Sequence, residues 1–296
     1  MIAFAGKVDA AIAQIFQIYP AIARDSTAFN WRRKREIFAE SRFFVATPCS
    51  WLMRRVENSI LAPAVHDARV IPNGIDLNIF RPIADREAVR KQLGINLESK
   101  VVVFAAHGIR NKHTCKDYNT FRAAIGKFSA GWSGCPVLIL ALGDDGPSEE
   151  IGRVKLKFIS FNEDALNIAL YLNAADVYVH SAKADTFPNA VIEALACGTP
   201  VIASAVGGIP EQFEDKEMGF LVSLRDATEM AVRIEYLLHN DEVRQKMGGA
   251  AQEMARRRFD LRQQAEKYLD WYRSILDGST ATLQHNSKRR QSGVPS

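Results

Sequence analysis

The chain of 296 residues is poor in cysteine, carries little net charge and contains no long apolar run. Its cysteines are Cys49, Cys115, Cys135 and Cys197. They are far apart and form no C-x-x-C pair, so we expect neither a disulfide framework nor a cysteine metal site, and a reduced cytoplasmic protein is the simplest interpretation. The 38 basic and 34 acidic residues leave a net charge of +4, which is too small an excess to indicate nucleic-acid binding.

The apolar residues are distributed as in a globular protein. No stretch reaches the roughly 20 consecutive apolar residues that a membrane-spanning helix needs. Residues 1–18 are fairly apolar, but Lys7, Asp9 and Gln14 interrupt them, and they lack the basic start and the cleavage site of a signal peptide. We expect an amphipathic helix here, with contact to a membrane surface as the less favoured alternative. Hydrophobic residues make up 47% of the chain, enough for a sizeable core.

Short apolar runs alternate with helical patterns between residues 98 and 225. Strands are predicted at 101–106, 137–142, 157–161, 177–180, 201–203 and 220–222, with helices at 118–128, 163–174 and 188–196. This alternation predicts an α/β fold, with a parallel sheet and helices on both of its faces. The ligands of such sheets bind at the carboxyl ends of the strands.

The flanking regions have a different character. Residues 8–42 are predicted to form one or two helices and include a basic run at 32–35, which is either a solvated helix face or a membrane-docking segment. A strand is predicted at 43–47, and the turn from Asn73 to Asp76 marks a domain boundary. Helices are predicted at 226–239, 241–258 and 261–276, and the last packs an apolar face that contains Trp271. Residues 277–296 are predicted to be a disordered tail.

Two carboxylates stand eight positions apart at the start and in the body of a predicted helix, Asp185 and Glu193. Glu193 lies between apolar residues, where an unpaired carboxylate is costly to bury, so we expect it to be exposed or to have a partner. Pro188 suits the first turn of this helix, although it removes one amide donor. A solvent-facing helix glutamate is the alternative for Glu193.

A basic loop follows the first predicted strand of the sheet and contains Gly108, Arg110 and Lys116. Two cations from one loop can neutralise a diphosphate, and arginine can bind it through two parallel hydrogen bonds. Lys112 is an alternative to Lys116, and a solvated loop is the alternative for the whole segment.

Two further features are weaker by themselves. Gly207 and Gly208 form a turn that could offer unpaired amides to an anion, although such turns are common. His180 ends a predicted strand and could face the cleft, but a hydrogen-bonded structural histidine is the favoured interpretation. The histidines show no metal-ligand spacing.

Taken together, the segment 185–204, the basic loop, the Gly207-Gly208 turn with Glu211, and the turn at Asn73 resemble the retaining GT-B glycosyltransferases of family 4, the glycosyl transferases of group 1. The resemblance extends over about residues 20–276. It implies two Rossmann-like domains facing across a cleft. The expected division is 1–90 as a partial N-terminal acceptor domain with the hinge, 91–258 as the donor-binding domain, 259–276 as a helix that crosses back, and 277–296 as the tail.

The resemblance also implies roles for individual residues. Arg110 and Lys116 would stabilise the departing diphosphate, and Asp185, where the family usually has glutamate, would orient the donor sugar. Glu193 would accept hydrogen bonds from the ribose hydroxyls, because two carboxylate oxygens match a vicinal diol. The other expected donor-binding residues are Phe187, Pro188, Asn189, Gly108, Phe161, Gly207 and Gly208. No metal or other cofactor is implied besides the nucleotide-sugar substrate.

The chain departs from the family pattern at its start. Only about 70 residues precede the turn at Asn73, and they resemble the end of an acceptor domain, so we expect a shortened chain or a donor half that needs a partner. The implied activity is that of a hexosyltransferase. It would transfer a sugar, with retention of configuration, to a glycan or lipid-linked acceptor in polysaccharide or lipopolysaccharide biosynthesis, in the cytoplasm or at the inner face of the plasma membrane. The alternative is a catalytically silent or partner-dependent nucleotide-sugar binding subunit.

Overall fold

The computed structural model describes residues 26–105, 115–161 and 163–291, with side chains up to residue 278. The apolar segment 1–18 lies outside these residues. Among the residues described, no helix combines the length and the apolar composition needed to cross a membrane.

The first part of the chain forms a small two-stranded parallel sheet. Its elements are helix α1 (Thr27–Ala39), strand β1 (Phe43–Thr47), helix α2 (Ser50–Glu57) and strand β2 (Val65–Val70). The two strands pair with Val45 opposite Ala68. The basic run 32–35 lies on α1, where no residue is buried.

The main sheet has seven strands in the order β5-β6-β4-β3-β7-β8-β9. The strands are β3 (Lys100–Ala105), β4 (Val137–Leu142), β5 (Glu149–Ile151), β6 (Val154–Ile159), β7 (Val177–His180), β8 (Val201–Ser204) and β9 (Gly219–Val222). All neighbours are parallel except the edge strand β5, which forms an antiparallel hairpin with β6. The predicted α/β architecture with a parallel sheet is therefore confirmed.

Helices cover both faces of this sheet. They are α3 (Arg86–Gln92), α4 (Tyr118–Gly131), α5 (Ala165–Ala174), α6 (Asn189–Ala196), α7 (Ala227–His239) and α8 (Asp241–Arg258), and a last helix, α9 (Leu261–Gln291), follows them in the chain. Successive residues of a strand point to opposite faces, so Val101 and Val103 join the core on one side while Val102 and Phe104 join the core on the other. The continuous apolar runs read from the sequence are the signature of strands buried on both faces.

Buried charges anchor helix α3 to the sheet at the amino ends of the strands. Asp176 accepts hydrogen bonds from Arg86, Arg90 and the amide of Val101, at 2.9, 2.9 and 2.7 Å. Burial opposes the ionisation of this carboxyl, but the two guanidinium groups and the amide outweigh it and hold the pKa of Asp176 below its usual value. The sequence analysis predicted neither this cluster nor α3.

The last helix contacts the first segment of the chain. The indole Nε1 of Trp271 donates to Asp67 Oδ2 at 2.7 Å, and its ring meets Phe44 with centroids 6.4 Å apart. Near the turn at Asn73, Ile75 donates its amide to the carbonyl of Phe259 at 2.8 Å. A Cβ on Gly74 would lie 2.6 Å from the Cα of Leu261, so this close approach of two backbones requires glycine.

Several boundaries differ from the predictions. Strand β6 begins at Val154 and ends at Ile159, not at 157–161, because buried Val154, Leu156 and Phe158 alternate with exposed residues in the hairpin that the sequence analysis missed. Helix α9 continues to Gln291, whereas we expected a helix ending at 276 and a disordered tail. Residues such as Ala281 and Leu283 are good helix formers, so the polar composition of this segment was a poor guide to its backbone.

Candidate functional site

A cavity of about 240 Å³ opens at the carboxyl ends of the strands. Ala105, Leu142 and Ile159, the last residues of β3, β4 and β6, lie on its wall. Of the residues predicted to carry function, Lys116, Phe161 and Glu193 line it, together with Tyr171 and other apolar side chains. Three residues distant in sequence are thus brought together where parallel α/β sheets bind ligands.

Glu193 is the acidic residue of this cavity. It lies on α6, and its carboxyl group makes no hydrogen bond or ion pair with any residue that the structure describes. Burial raises the pKa of Glu193 from 4.5 to about 7, because removing water disfavours the charged form. A carboxyl group in this condition has both oxygens available for donors supplied by a ligand.

Lys116 is held in place by a short pairing of two loops. Segment 115–117 runs antiparallel to 181–183, with hydrogen bonds from Asp117 N to Ser181 O at 3.0 Å and from Lys183 N to Cys115 O at 2.7 Å. Asp117 also caps helix α4 by accepting from the amide of Thr120. The pairing places Lys116 beside the end of strand β7.

The ammonium group of Lys116 forms a tight cluster with two other polar side chains. Its Nζ lies 2.6 Å from Asp185 Oδ2 and 3.0 Å from His180 Nε2, and this Nε2 is 3.2 Å from the same Asp185 oxygen. The side chains of Lys116 and Asp185 are 23% and 21% exposed, whereas His180 is buried. Both predicted catalytic residues that the structure describes, Lys116 and Asp185, therefore meet at one point.

The cluster sets the charge of each member. Burial raises the pKa of Asp185, but the His180 hydrogen bond and the Lys116 charge outweigh it and lower the value from 3.8 to about 2. Burial and the positive charge of Lys116 lower the pKa of His180 to about 4, although Asp185 acts in the opposite direction. At neutral pH the site therefore contains an ionised aspartate and a neutral imidazole beside Lys116.

The Gly207-Gly208 turn packs against the backbone of the loop that carries Asp185. Gly208 donates its amide to Thr186 O at 3.0 Å. Gly207 has φ +61°, and a Cβ there would lie 1.7 Å from the carbonyl oxygen of Asp185, so only glycine fits. The structure thus gives both glycines a packing role, and their predicted contact with a donor stays a prediction.

The other predicted donor residues of this loop are placed differently. The side chain of Phe187 is buried and packs edge-on against Phe259, with centroids 5.9 Å apart, so a donor could meet Phe187 only through its backbone. Pro188 precedes the first residue of α6 and accepts a hydrogen bond from Gln212 Nε2 at 3.0 Å. Asn189 accepts from Asn73 Nδ2 at 2.9 Å, which ties the loop to the predicted hinge.

Glu211 joins the same turn to the first part of the chain. Helix α2 has no side-chain cap of its own. Instead, the Glu211 carboxylate accepts from the amides of Ser50 and Trp51 at 2.8 and 2.7 Å, which satisfies two donors at the helix N-terminus. Glu211, which follows the Gly207-Gly208 turn, thus caps helix α2, although it is separated from Trp51 by 160 residues along the chain.

Part of the predicted basic loop lies outside the described residues, namely Gly108, Arg110 and the alternative Lys112. In the parts of the chain that the structure describes, no group of three or more His, Cys, Asp or Glu side chains is arranged to hold a metal ion. Because Gly108, Arg110 and Lys112 lie outside the described residues, the roles assigned to them stay predictions.

The sequence analysis undervalued His180 and did not consider Tyr178. Both lie on strand β7, and His180 contacts both Lys116 and Asp185. The sequence did contain a signal for this pair. His180 is a polar residue at the end of an otherwise apolar strand, and it stands two positions after Tyr178, a spacing that places both side chains on one face of the sheet.

Comparison with known proteins points to one family. Residues 148–254 match the family model described as glycosyl transferases group 1. The chain is similar to a D-inositol 3-phosphate glycosyltransferase of Saccharomonospora viridis, with 31% identity over 231 residues that cover 73% of this chain and 52% of the relative. The chain therefore spans about half the length of that relative.

Solved structures share the fold. Sucrose-phosphate synthase from Thermosynechococcus elongatus matches with a TM-score of 0.69 at 24% identity, over 89% of this chain and 65% of that chain. Anabaena HepE in complex with UDP and glucose matches with a TM-score of 0.65 at 21% identity, over 83% of this chain and 67% of that chain. Residues 148–254 are thus similar to the glycosyl transferases group 1, and the chain has the GT-B type of fold.

Proposed function

We propose that this chain binds a nucleotide-sugar donor in the cavity at the carboxyl ends of the strands and transfers the sugar with retention of configuration. The observation that carries the proposal is Glu193, a half-buried carboxyl group without a partner among the described residues, in a cavity that it shares with Lys116 and Phe161. An ionised carboxylate placed there has two acceptor oxygens, which suit the two hydroxyls of a ribose. The family match over residues 148–254 supports this choice of ligand.

Each polar group has a proposed part in the transfer. Lys116, with Arg110, stabilises the negative charge that develops on the departing diphosphate, an electrostatic effect worth roughly 3 kcal/mol of the barrier. Asp185 orients the sugar, and Glu193 holds the ribose. We propose that no divalent metal is required, since the two cations supply the positive charge. Turnover that falls with EDTA and returns with Mg²⁺ would contradict this part.

We propose a hexose as the transferred sugar, and a glycan or a lipid-linked sugar as the acceptor, in polysaccharide or lipopolysaccharide biosynthesis on the cytoplasmic side of a membrane. The exposed basic run on helix α1 supports contact with an anionic membrane surface. Flotation with vesicles containing anionic lipid tests this contact: we expect binding that weakens as salt rises. Equal binding to neutral vesicles would contradict it.

The first experiment is calorimetric titration of the chain with UDP, GDP and ADP. We expect one nucleotide to bind, and we expect Glu193→Ala to lose that binding. The matched control is Glu235→Ala, which removes a glutamate from helix α7 on the opposite face of the sheet and should bind as the unmodified chain does. A folded chain that binds none of the three, or binds equally well without Glu193, would contradict the proposal.

A partner-dependent donor subunit is the second candidate, and one observation favours it. On the small sheet, the apolar side chains of Phe43, Phe44 and Val70 are 38%, 42% and 42% exposed, at strands that form a single pair within the described residues. A two-stranded sheet is marginal by itself, and exposed apolar patches mark contact sites. Glu193-dependent nucleotide binding without donor hydrolysis or sugar transfer would favour this candidate, whereas turnover by the chain alone would exclude it.

A further inference from the structure

Two buried side chains lie behind Asp185 and have no part in the proposed function. Tyr178 and His180 are two residues apart on strand β7, so their side chains lie on the same face. Their exposures are 0% and 1%. The Tyr178 hydroxyl lies 3.1 Å from His180 Nδ1, and His180 Nε2 lies 3.2 Å from Asp185 Oδ2, so the three groups form a continuous hydrogen-bonded chain.

The direction of these hydrogen bonds follows from the buried hydroxyl. A neutral imidazole carries one proton. If that proton were on Nδ1, the Tyr178 hydroxyl would accept it, and its own hydrogen would face the core with no acceptor among the described residues, which is costly. If the proton is on Nε2, the hydroxyl donates to Nδ1 and Nε2 donates to Asp185 Oδ2. Only the second tautomer satisfies both donors.

Asp185 supports the same tautomer. With an unprotonated Nε2, a lone pair of His180 would face the negatively charged Asp185 Oδ2 at 3.2 Å, which is repulsive. Lys116 Nζ lies 3.0 Å from Nε2 and could donate only to an unprotonated Nε2, but it has a nearer acceptor in Asp185 Oδ2 at 2.6 Å. With a protonated Nε2, Lys116 keeps that acceptor, and the oxygen accepts from both His180 and Lys116, within the capacity of a carboxylate oxygen. Both donors use Oδ2, and Oδ1 of Asp185 has no hydrogen bond to a described residue.

We propose that Tyr178 and His180 are positioning residues for Asp185. Tyr178 holds His180 in its Nε2–H tautomer, and His180 holds the aspartate by one oxygen, which leaves Oδ1 for a hydroxyl group of the bound sugar. Protonation of His180 would destroy this arrangement, because a doubly protonated ring can no longer accept from Tyr178. The last step, the contact of Asp185 with a sugar, rests on the proposed function, whereas the tautomer and its cause do not.

The tautomer is measured directly by ¹⁵N NMR of histidine-labelled protein at pH 7. The His180 signal is assigned by its loss in His180→Gln and by its proximity to the Tyr178 ring. We expect the Nε2–H tautomer with Nδ1 unprotonated, and we expect Tyr178→Phe, which removes only the hydroxyl, to give a mixture of tautomers. An Nδ1–H tautomer in the unmodified chain, or an unchanged tautomer in Tyr178→Phe, would overturn the proposal.

Ligand binding tests the effect on Asp185. UDP-glucose with UDP, and GDP-mannose with GDP, are titrated into His180→Gln, which keeps a side-chain donor, and into His180→Leu, which does not. We expect the Kd of the nucleotide sugar to rise roughly tenfold or more in His180→Leu, to rise less in His180→Gln, and the Kd of the matching nucleoside diphosphate to stay the same. Equal losses for both ligands would assign His180 a merely structural role and overturn the positioning of Asp185.

The two proposals fail in different ways. A chain that shows the Nε2–H tautomer and its dependence on Tyr178, but binds none of UDP, GDP and ADP, would contradict the proposed function and leave the hydrogen-bonded chain established. A chain that binds a nucleotide sugar and its diphosphate with unaltered relative affinities in His180→Leu would support the function and refute the positioning role.

Discussion

Replacement of Glu193 by glutamine should make the protein more stable at alkaline pH. Burial raises the pKa of Glu193 from 4.5 to about 7. Ionising this carboxyl group in the folded state therefore costs about 3 kcal/mol more than in the unfolded chain. Glutamine has nearly the same shape and never ionises, so Glu193→Gln avoids this cost.

The sign of the pH dependence follows from proton binding. Between pH 4.5 and about 7 the folded chain keeps the Glu193 proton and the unfolded chain has lost it, so stability falls as pH rises through this window. Glu193→Gln should therefore match the unmodified chain near pH 4.5. At pH 8 its free energy of unfolding should be higher by up to about 3 kcal/mol.

Urea unfolding at pH 5 and pH 8 measures this difference. The control is Glu235→Gln, since Glu235 has only a 4.0 Å contact with His239 on the surface of α7 and should change stability by no more than about 0.5 kcal/mol at either pH. A Glu193→Gln protein that is less stable than the unmodified chain at pH 8, or that differs from it equally at both pH values, would refute the reasoning. Glu193→Gln should also bind nucleotide more weakly, because it lacks the carboxylate that we propose holds the ribose. The Glu193 carboxyl group would then both destabilise the fold and bind the ligand.

Further predictions concern turnover and the fold. Lys116→Ala should abolish sugar transfer without altering the circular dichroism spectrum; unchanged turnover would contradict its role. Asp176→Asn should cost about 3–5 kcal/mol in urea unfolding because it leaves buried guanidinium groups unpaired, whereas Asp226→Asn, which changes only a helix cap, should cost about 1 kcal/mol or less. Gly207→Ala should lose nucleotide binding because its Cβ meets backbone. Gly126→Ala, in open space on a helix, should raise the Tm, and equal effects of the two changes would argue against the packing role of Gly207.

Local features of this fold were predictable because they depend on neighbouring residues. The apolar runs at Val137–Leu142 and Val177–His180 match observed strands, since a strand buried on both faces needs no polar positions. Helices at 226–239 and 241–258 were placed within a residue of their bounds, and Asp226 supplies the cap that begins the first of them. The Asp185 and Glu193 pair could be singled out because its spacing resembles a known family.

What the sequence by itself determined is thus the order of strands and helices and the two-faced sheet, and it predicted the end of the sheet at which a ligand would bind. Only the tertiary structure decided that His180 joins Lys116 and Asp185, that Glu211 caps helix α2, and that Trp271 of the last helix reaches Asp67. The physical reason is separation along the chain. Periodicity and capping act over a few residues, whereas these contacts join residues up to 204 positions apart and exist only once the sheet has brought their elements together.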